Sequence, residues 1–407
     1  LEMKKTLVAI AALAATGAFA QSSVTIDGGL DAGYQSITYK NAAGATGGIG
    51  QNGSSTSQIN FRGVSDLGGG LKATFRVETD WNVVSNKANT GFVNGVTTQG
   101  SVPTSSTNQV TTASPNSGGG TFGNGELRVG LESATYGQLH LGAVNNASFE
   151  AVANGQPFGT AIGGGFRGIT RTDAGTMGSS AVRGDQSAKY ITPTFNGVSG
   201  SVLIIKKSTT AAAGEAATSF TPSAPYDFTT TTNAYDFAGV QEYSAAYVNG
   251  PINARYTTQR TDSTGLNIQS TSSLTNRKLN TLGANYTMGN TVVYFLNQTY
   301  KTDSATVNGN RVNQLSVKHT IGNHVLMATT GTASNDAAWA ATTNYGKTSL
   351  TGLGYDYNLS KTTALYVRYD SITDKGGLLT KVATVDGAAG ANGDKRTRTA
   401  FGLRTAF

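Results

Sequence analysis

The sequence predicts an all-β chain closed into a transmembrane barrel of sixteen antiparallel strands, and three observations predict it. Apolar and polar residues alternate with period two along many short segments, more than could each find a partner for its apolar face inside a soluble protein. The second is the closing stretch, TRTAFGLRTAF from Thr397 to Phe407. It sets Phe401, Leu403, Thr405 and Phe407 on one side and Arg398, Ala400, Gly402, Arg404 and Ala406 on the other. The connections between segments alternate between short and long, as in an antiparallel barrel with brief turns at one end and long loops at the other. A β-sandwich has no reason to sort its loops in this way.

Composition agrees. The 407 residues include 53 Gly, no Cys and only 13% charged residues, against roughly 25% charged and about 7% Gly in an average globular protein. Residues Met3 to Ala20, MKKTLVAIAALAATGAFA, carry two lysines, a short apolar run and Ala18-Phe19-Ala20. This is the pattern of an export signal peptide cleaved after Ala20. Leu1 and Glu2 precede the Met and are set aside, so residues 1–20 are expected to be lost and 21–407 to form a single barrel domain. Beyond Ala20 no apolar run reaches the ~20 residues of a spanning helix, so a membrane location requires strands. Removing 1–20 leaves 28 basic against 22 acidic residues, a net +6, and the basic residues are scattered. That distribution gives no nucleic-acid footprint.

In order, the first strand starts at Val24 and is followed by a Gly/Asn-rich loop, Asn41 to Ser55. Gln58 to Arg62, the turn Asp66 to Gly70, and a strongly alternating strand from Leu71 to Trp81 come next. A long Ser/Thr/Asn/Gly loop separates these from Glu126–Glu132 and Gln138–Ala143. A second long loop, Val144 to Ser180, leads to a strand at Val182–Thr192. Nine further segments then run from Val198 to Ser371, and Thr397–Phe407 closes the set. Three short turns share a frame: Tyr286 to Asn290, His319 to Asn323 and Tyr357 to Lys361. A ring at the strand end suits the membrane interface, and the Gly of the first two supplies a positive φ.

Four blocks carry a family resemblance: the start Gln21-Ser-Ser-Val-Thr-Ile, Phe61 to Ala73, Gly354 to Tyr366, and the ending Phe401 to Phe407. Together they resemble the general outer-membrane porins of β-proteobacteria. The resemblance implies short periplasmic turns, long extracellular loops, a homotrimer in the outer membrane of a Gram-negative bacterium, and an inward-folded third loop, by position residues 144–180. It also implies a terminal aromatic, here Phe407, read during barrel assembly, and a preference for anions. Gln58, Ala143 and Thr405 stand where members of that family often carry Arg, Arg and His, so the preference expected here is weak.

The expected function is therefore passive diffusion of small hydrophilic solutes and ions through a water-filled bore, in contact with outer-membrane lipid and lipopolysaccharide. Selectivity in such a bore comes from its width and its rings of charge. By parity Arg62, Arg76, Arg128 and Arg183 face the bore. Arg76 lies about five residues from the turn at Gly70, or roughly 16 Å, near mid-membrane. Arg76 and Arg128 are expected on one wall, opposite Glu150 and Asp173 on the loop, giving a transverse field. The alternative is that these arginines pair with Glu78, Glu126 and Glu132 and stiffen the wall. Arg167 and Arg171 either line the constriction or anchor the loop.

Other functions find less support. His140, His319 and His324 are the only histidines, too few and too scattered for a metal site or a catalytic triad, and no cofactor motif stands out. A surface adhesin or passenger solenoid would show one fixed repeat, which is absent. A substrate-specific channel would need an aromatic or cationic stripe along the bore, and parity alone gives none.

Overall fold

The computed structural model describes residues 22–40, 46–84, 87–88, 125–166, 168–170, 183–205, 218–220, 228–230, 239–262, 276–302, 309–335, 347–374 and 395–407. The expected signal peptide, Arg171 and Asp173 lie outside these residues, as does Arg167.

Sixteen strands form the barrel: β1 (Ser23–Tyr39), β2 (Gln58–Gly68), β3 (Leu71–Asn82), β4 (Leu127–Ser133), β5 (Gly137–Asn145), β6 (Arg183–Ile191), β7 (Val198–Ile205), β8 (Gly239–Asn249), β9 (Ile252–Asp262), β10 (Arg277–Met288), β11 (Thr291–Thr302), β12 (Gly309–Ile321), β13 (His324–Asn335), β14 (Lys347–Asn358), β15 (Thr363–Asp374) and β16 (Lys395–Ala406). Each pairs antiparallel with the next. The ring closes because β16 pairs with β1 from Gly29↔Ala406 to Tyr39↔Arg396. The seam continues one residue further, where the Phe407 and Gly28 backbones exchange two 3.1 Å hydrogen bonds. A side chain at Gly28 would strike both the Gln58 carbonyl and the Phe407 ring, so glycine is required at this corner. Closure removes every free barrel edge, which is the condition for strands to cross lipid.

The faces sort as period-two patterning demands. Val129, Leu131, Leu141, Leu315, Leu353, Val367, Phe401 and Leu403 stand exposed on the outer face. On alternate positions Asn60, Glu78, His140, Lys189, Glu242, Gln314, Arg368, Asp370 and Arg398 are buried. An apolar exterior around a polar interior inverts a soluble sheet and fits a barrel solvated by lipid. The turns at Gly289 (φ 57°) and Gly322 (φ 56°) take the left-handed conformation that their sequence anticipated.

Two stretches differ from expectation. Part of the Asn41–Ser55 stretch, expected as loop, is a short strand, Thr46–Gln51, that folds back on β1. The stretch Val144–Ser180, also expected as loop, begins with the end of β5 and then forms a helix, α1 (Ala147–Asn154). Its cap was written in the sequence: the Asn146 side chain accepts the Phe149 N–H at 3.0 Å, and Gly155 closes the last turn. Eight residues between alternating strands give only a short helical signal.

Candidate functional site

Strand register builds the first half of the site. Arg62 on β2 lies opposite Arg76 on β3, and Arg76 lies opposite Arg128 on β4. The three guanidiniums therefore occupy one level on three neighbouring strands, spaced by the ~4.8 Å strand separation. Carboxylates hold them in place. Arg76 reaches Glu126 at 2.7 Å and Glu78 at 2.6 Å. Arg128 lies 3.6 Å from Glu126 and 3.5 Å from Glu132, and Arg62 lies 2.8 Å from Asp27. Glu78 and Glu126 sit deeper than Arg76, their side chains 11% and 7% exposed against 21%, whereas Glu132 at 28% is more exposed than Arg128 at 17%. Arg76 and Glu132 thus both reach the open side of this wall.

The second half is the segment 146–170, which lies against the polar-side face of β8 to β16. Glu242 on β8 accepts the Ala147 and Ser148 N–H groups, satisfying free donors at the start of α1. The Asn154 amide donates to the Asn253 and Gly283 carbonyls at 3.1 and 3.0 Å. Further along, Gln314 donates to the Gly164 carbonyl at 2.8 Å, and the Gly163 N–H donates to Asp370 at 3.1 Å. Val152, Phe158, Ile162 and Ile169 seat the apolar side of the segment in four separate pockets, against Leu296, Met327, Tyr366 and Leu350 among others. The approach is close enough that the Ala151 carbonyl sits over Gly283 and the Gly163 carbonyl over Gly352.

Two buried carboxylates flank the closing strand. Asp370 is fully buried, with Arg398 bound in bidentate fashion at 3.0 and 2.5 Å and Arg396 at 4.0 Å. Asp31 accepts the Ser54 and Ser55 N–H groups at 2.6 and 2.7 Å and the Tyr366 hydroxyl at 2.6 Å. The residues before β2 and the tip of the segment also meet directly, through Ile162 N–H to the Gly53 carbonyl and Thr56 to Thr160.

Comparison with known proteins follows from this geometry. A family model described as Gram-negative porin matches residues 6–377. The chain belongs to that family. Among relatives it resembles are outer membrane porin protein 32 of Delftia acidovorans, 49% identical over 77 residues (19% of this chain, 22% of that protein), and an outer membrane porin protein of Bordetella pertussis, 29% identical over 214 residues (48% and 46%). The matched stretches thus span less than half the length of these curated relatives. Among solved structures, an anion-selective porin from Comamonas acidovorans is 25% identical, with a TM-score of 0.67 over 95% of this chain and all of that one. OmpF of Salmonella typhi, 10% identical with a TM-score of 0.57 over 94% and 97%, shares the fold. A porin is an outer-membrane channel protein and not an enzyme.

Within this porin the sequence-derived candidates fall into separate groups. Arg62, Arg76 and Arg128 come together. Arg183 stands apart, donating to the Asn145 side chain at 3.0 Å. Glu150, expected to face Arg76 and Arg128, is instead held by Lys189 at 2.5 Å and Arg255 at 2.9 Å. Its place in the first turn of α1, beside β6 and β9, brings those two cations within reach, and the arginine row takes its carboxylates from its own and neighbouring strands. Sequence reasoning missed Glu242, Arg255, Tyr366 and the Arg396–Arg398 pair as parts of the site. For Arg398 and Asp370 a signal existed, since both fall on polar positions of alternating strands. Their pairing needed the register.

Proposed function

We propose that this porin is a water-filled channel for passive diffusion of small hydrophilic solutes and ions, with a weak preference for anions. The observation that carries the reading is the in-register row Arg62–Arg76–Arg128 on β2 to β4, while residues 146–166 and 168–170 line β8 to β16. In this reading residues 144–180 are the inward-folded third loop, and the narrowest part of the bore lies between it and the arginine row. Four carboxylates pair with the row's three guanidiniums, so the row carries no net positive charge of its own; the preference is therefore weak, and its sign rests on the net +6 of the chain after residue 20. Arg167, Arg171, Asp173 and Arg183 are proposed as further constriction charges. The anion-selective porin with the same fold supports the sign.

The reading extends to assembly. The short turns are taken to face the periplasm and the long loops the exterior, with export directed by residues 3–20. The unit is a homotrimer held among outer-membrane lipid and lipopolysaccharide, and Phe407, exposed at the end of the closing strand, is the residue recognised during insertion.

A substrate-specific channel is the second reading, since a row of three arginines would also grip a multivalent anion. The four carboxylates beside the row weigh against it, because each offsets charge that such a substrate would need. Liposome swelling tests the choice. The general channel should admit uncharged sugars at rates that fall smoothly with size, whereas swelling with one solute class only would favour the specific reading. No swelling with any solute would refute both.

A further inference from the structure

His140 has no role in the geometry above, yet it lies on the polar face of β5 two residues from the level of the arginine row. Its register partner on β4 is Gly130, which in turn pairs with Thr74 on β3. A side chain at Gly130 would overlap the imidazole, so the glycine makes the space in which the ring lies. The ring is 5% exposed as a residue, and its Nε2 is 3.1 Å from Glu132 Oε1. That same Oε1 is the atom Arg128 approaches at 3.5 Å and the one that accepts the Thr74 hydroxyl at 3.0 Å.

We propose that His140 is a selectivity-setting residue of the channel: when protonated it takes over Glu132 and releases Arg128 to the bore. One carboxylate oxygen cannot serve as counter-charge to two cations equally, and the imidazole is already at hydrogen-bond distance while the guanidinium is further away. Proton uptake adds one positive charge at this level and frees part of another, so the bore becomes more attractive to anions as pH falls. The groups facing His140 are all accounted for. Glu132 and Arg128 face it from β4, Glu126 from the residue just before β4, and Lys72 and Arg76 stand on β3. Lys189 is its register partner on β6, and Glu150 of α1 is bound to that lysine. Lys189 is committed to Glu150 and Arg76 to Glu78 and Glu126, and among the described residues Lys72 makes no ion pair with Glu132, which leaves Arg128, with its two longest contacts, as the cation that responds.

This inference rests on the channel reading, and reversal potentials of the purified, reconstituted full chain in a KCl gradient test it. Between pH 8 and 5 the anion-to-cation permeability ratio should rise about two-fold, and in His140→Gln it should stay flat at the neutral-pH value, because Gln can still donate to Glu132 without carrying charge. His140→Asn serves the same purpose if the Gln variant fails to fold. His319 and His324 remain in both variants, bonded to Thr291 and Tyr355 away from the bore. A rise that persists in the variants, or a wild-type ratio that does not change, overturns the proposal while leaving the channel reading intact. Absence of conductance at every pH overturns both.

Discussion

Replacing Asp370 with Asn should cost about 3–5 kcal/mol of barrel stability, among the largest effects of any single change on this wall. The carboxylate is fully buried with Arg398, itself 0% exposed, and a neutral amide leaves that guanidinium without its bidentate counter-charge. The midpoint of denaturant unfolding in detergent, followed by loss of β-signal, measures the effect. A second variant separates stability from positioning. Asp370→Leu combined with Arg398→Met removes both charges and fills similar volume, a replacement of the kind that is often near neutral. It should recover most of the stability yet still lack the acceptor for the Gly163 N–H. Open-channel current should then be noisier than in the wild type, because the tip of segment 146–170 has lost its link to β15. Quiet current in the double variant would show that Asp370 serves the barrel alone.

Alanine at Gly283 and Gly352 together should lower single-channel conductance, by roughly 20–40% for a constriction narrowed on one side. At both positions the atom a new Cβ would meet is a backbone carbonyl of the segment, Ala151 in one case and Gly163 in the other. A backbone cannot swing aside as a side-chain tip can, so the segment must move off the wall toward the arginine row until ordinary contact distance is restored. Overpacking of this kind costs about 1–3 kcal/mol, which a barrel of sixteen paired strands can absorb. Conductance equal to or above the wild-type value would contradict the placement of the segment against β10 and β14.

Most of the barrel was legible in the sequence, because a strand in lipid must write its pattern with period two, as Leu71–Trp81 and Thr397–Phe407 do. Segment boundaries were also near, since Gly-containing turns such as Gly289 and Gly322 mark where strands reverse. The row Arg62–Arg76–Arg128 was legible only in part. Parity put each residue on the polar face, but which arginines share a level depends on register, and register depends on stagger between strands far apart in the chain. Gly283 and Gly352 were illegible for a different reason: in a chain this rich in Gly, a glycine required by a close backbone contact looks like any other. Glu150 shows the limit from another side. Its partners are Lys189 and Arg255 because a helix, not an open loop, carries it.

The central claim is that the arginine row and the segment opposite set a weak anion preference. Reversal potential of the reconstituted protein at neutral pH, under a tenfold KCl gradient, tests it most directly. The expected wild-type value lies about 10–20 mV to the anion side, moving toward the cation side when Arg76 and Arg128 are both replaced by Ala. A wild-type reversal on the cation side, or one that stays in place in the double variant, would contradict it.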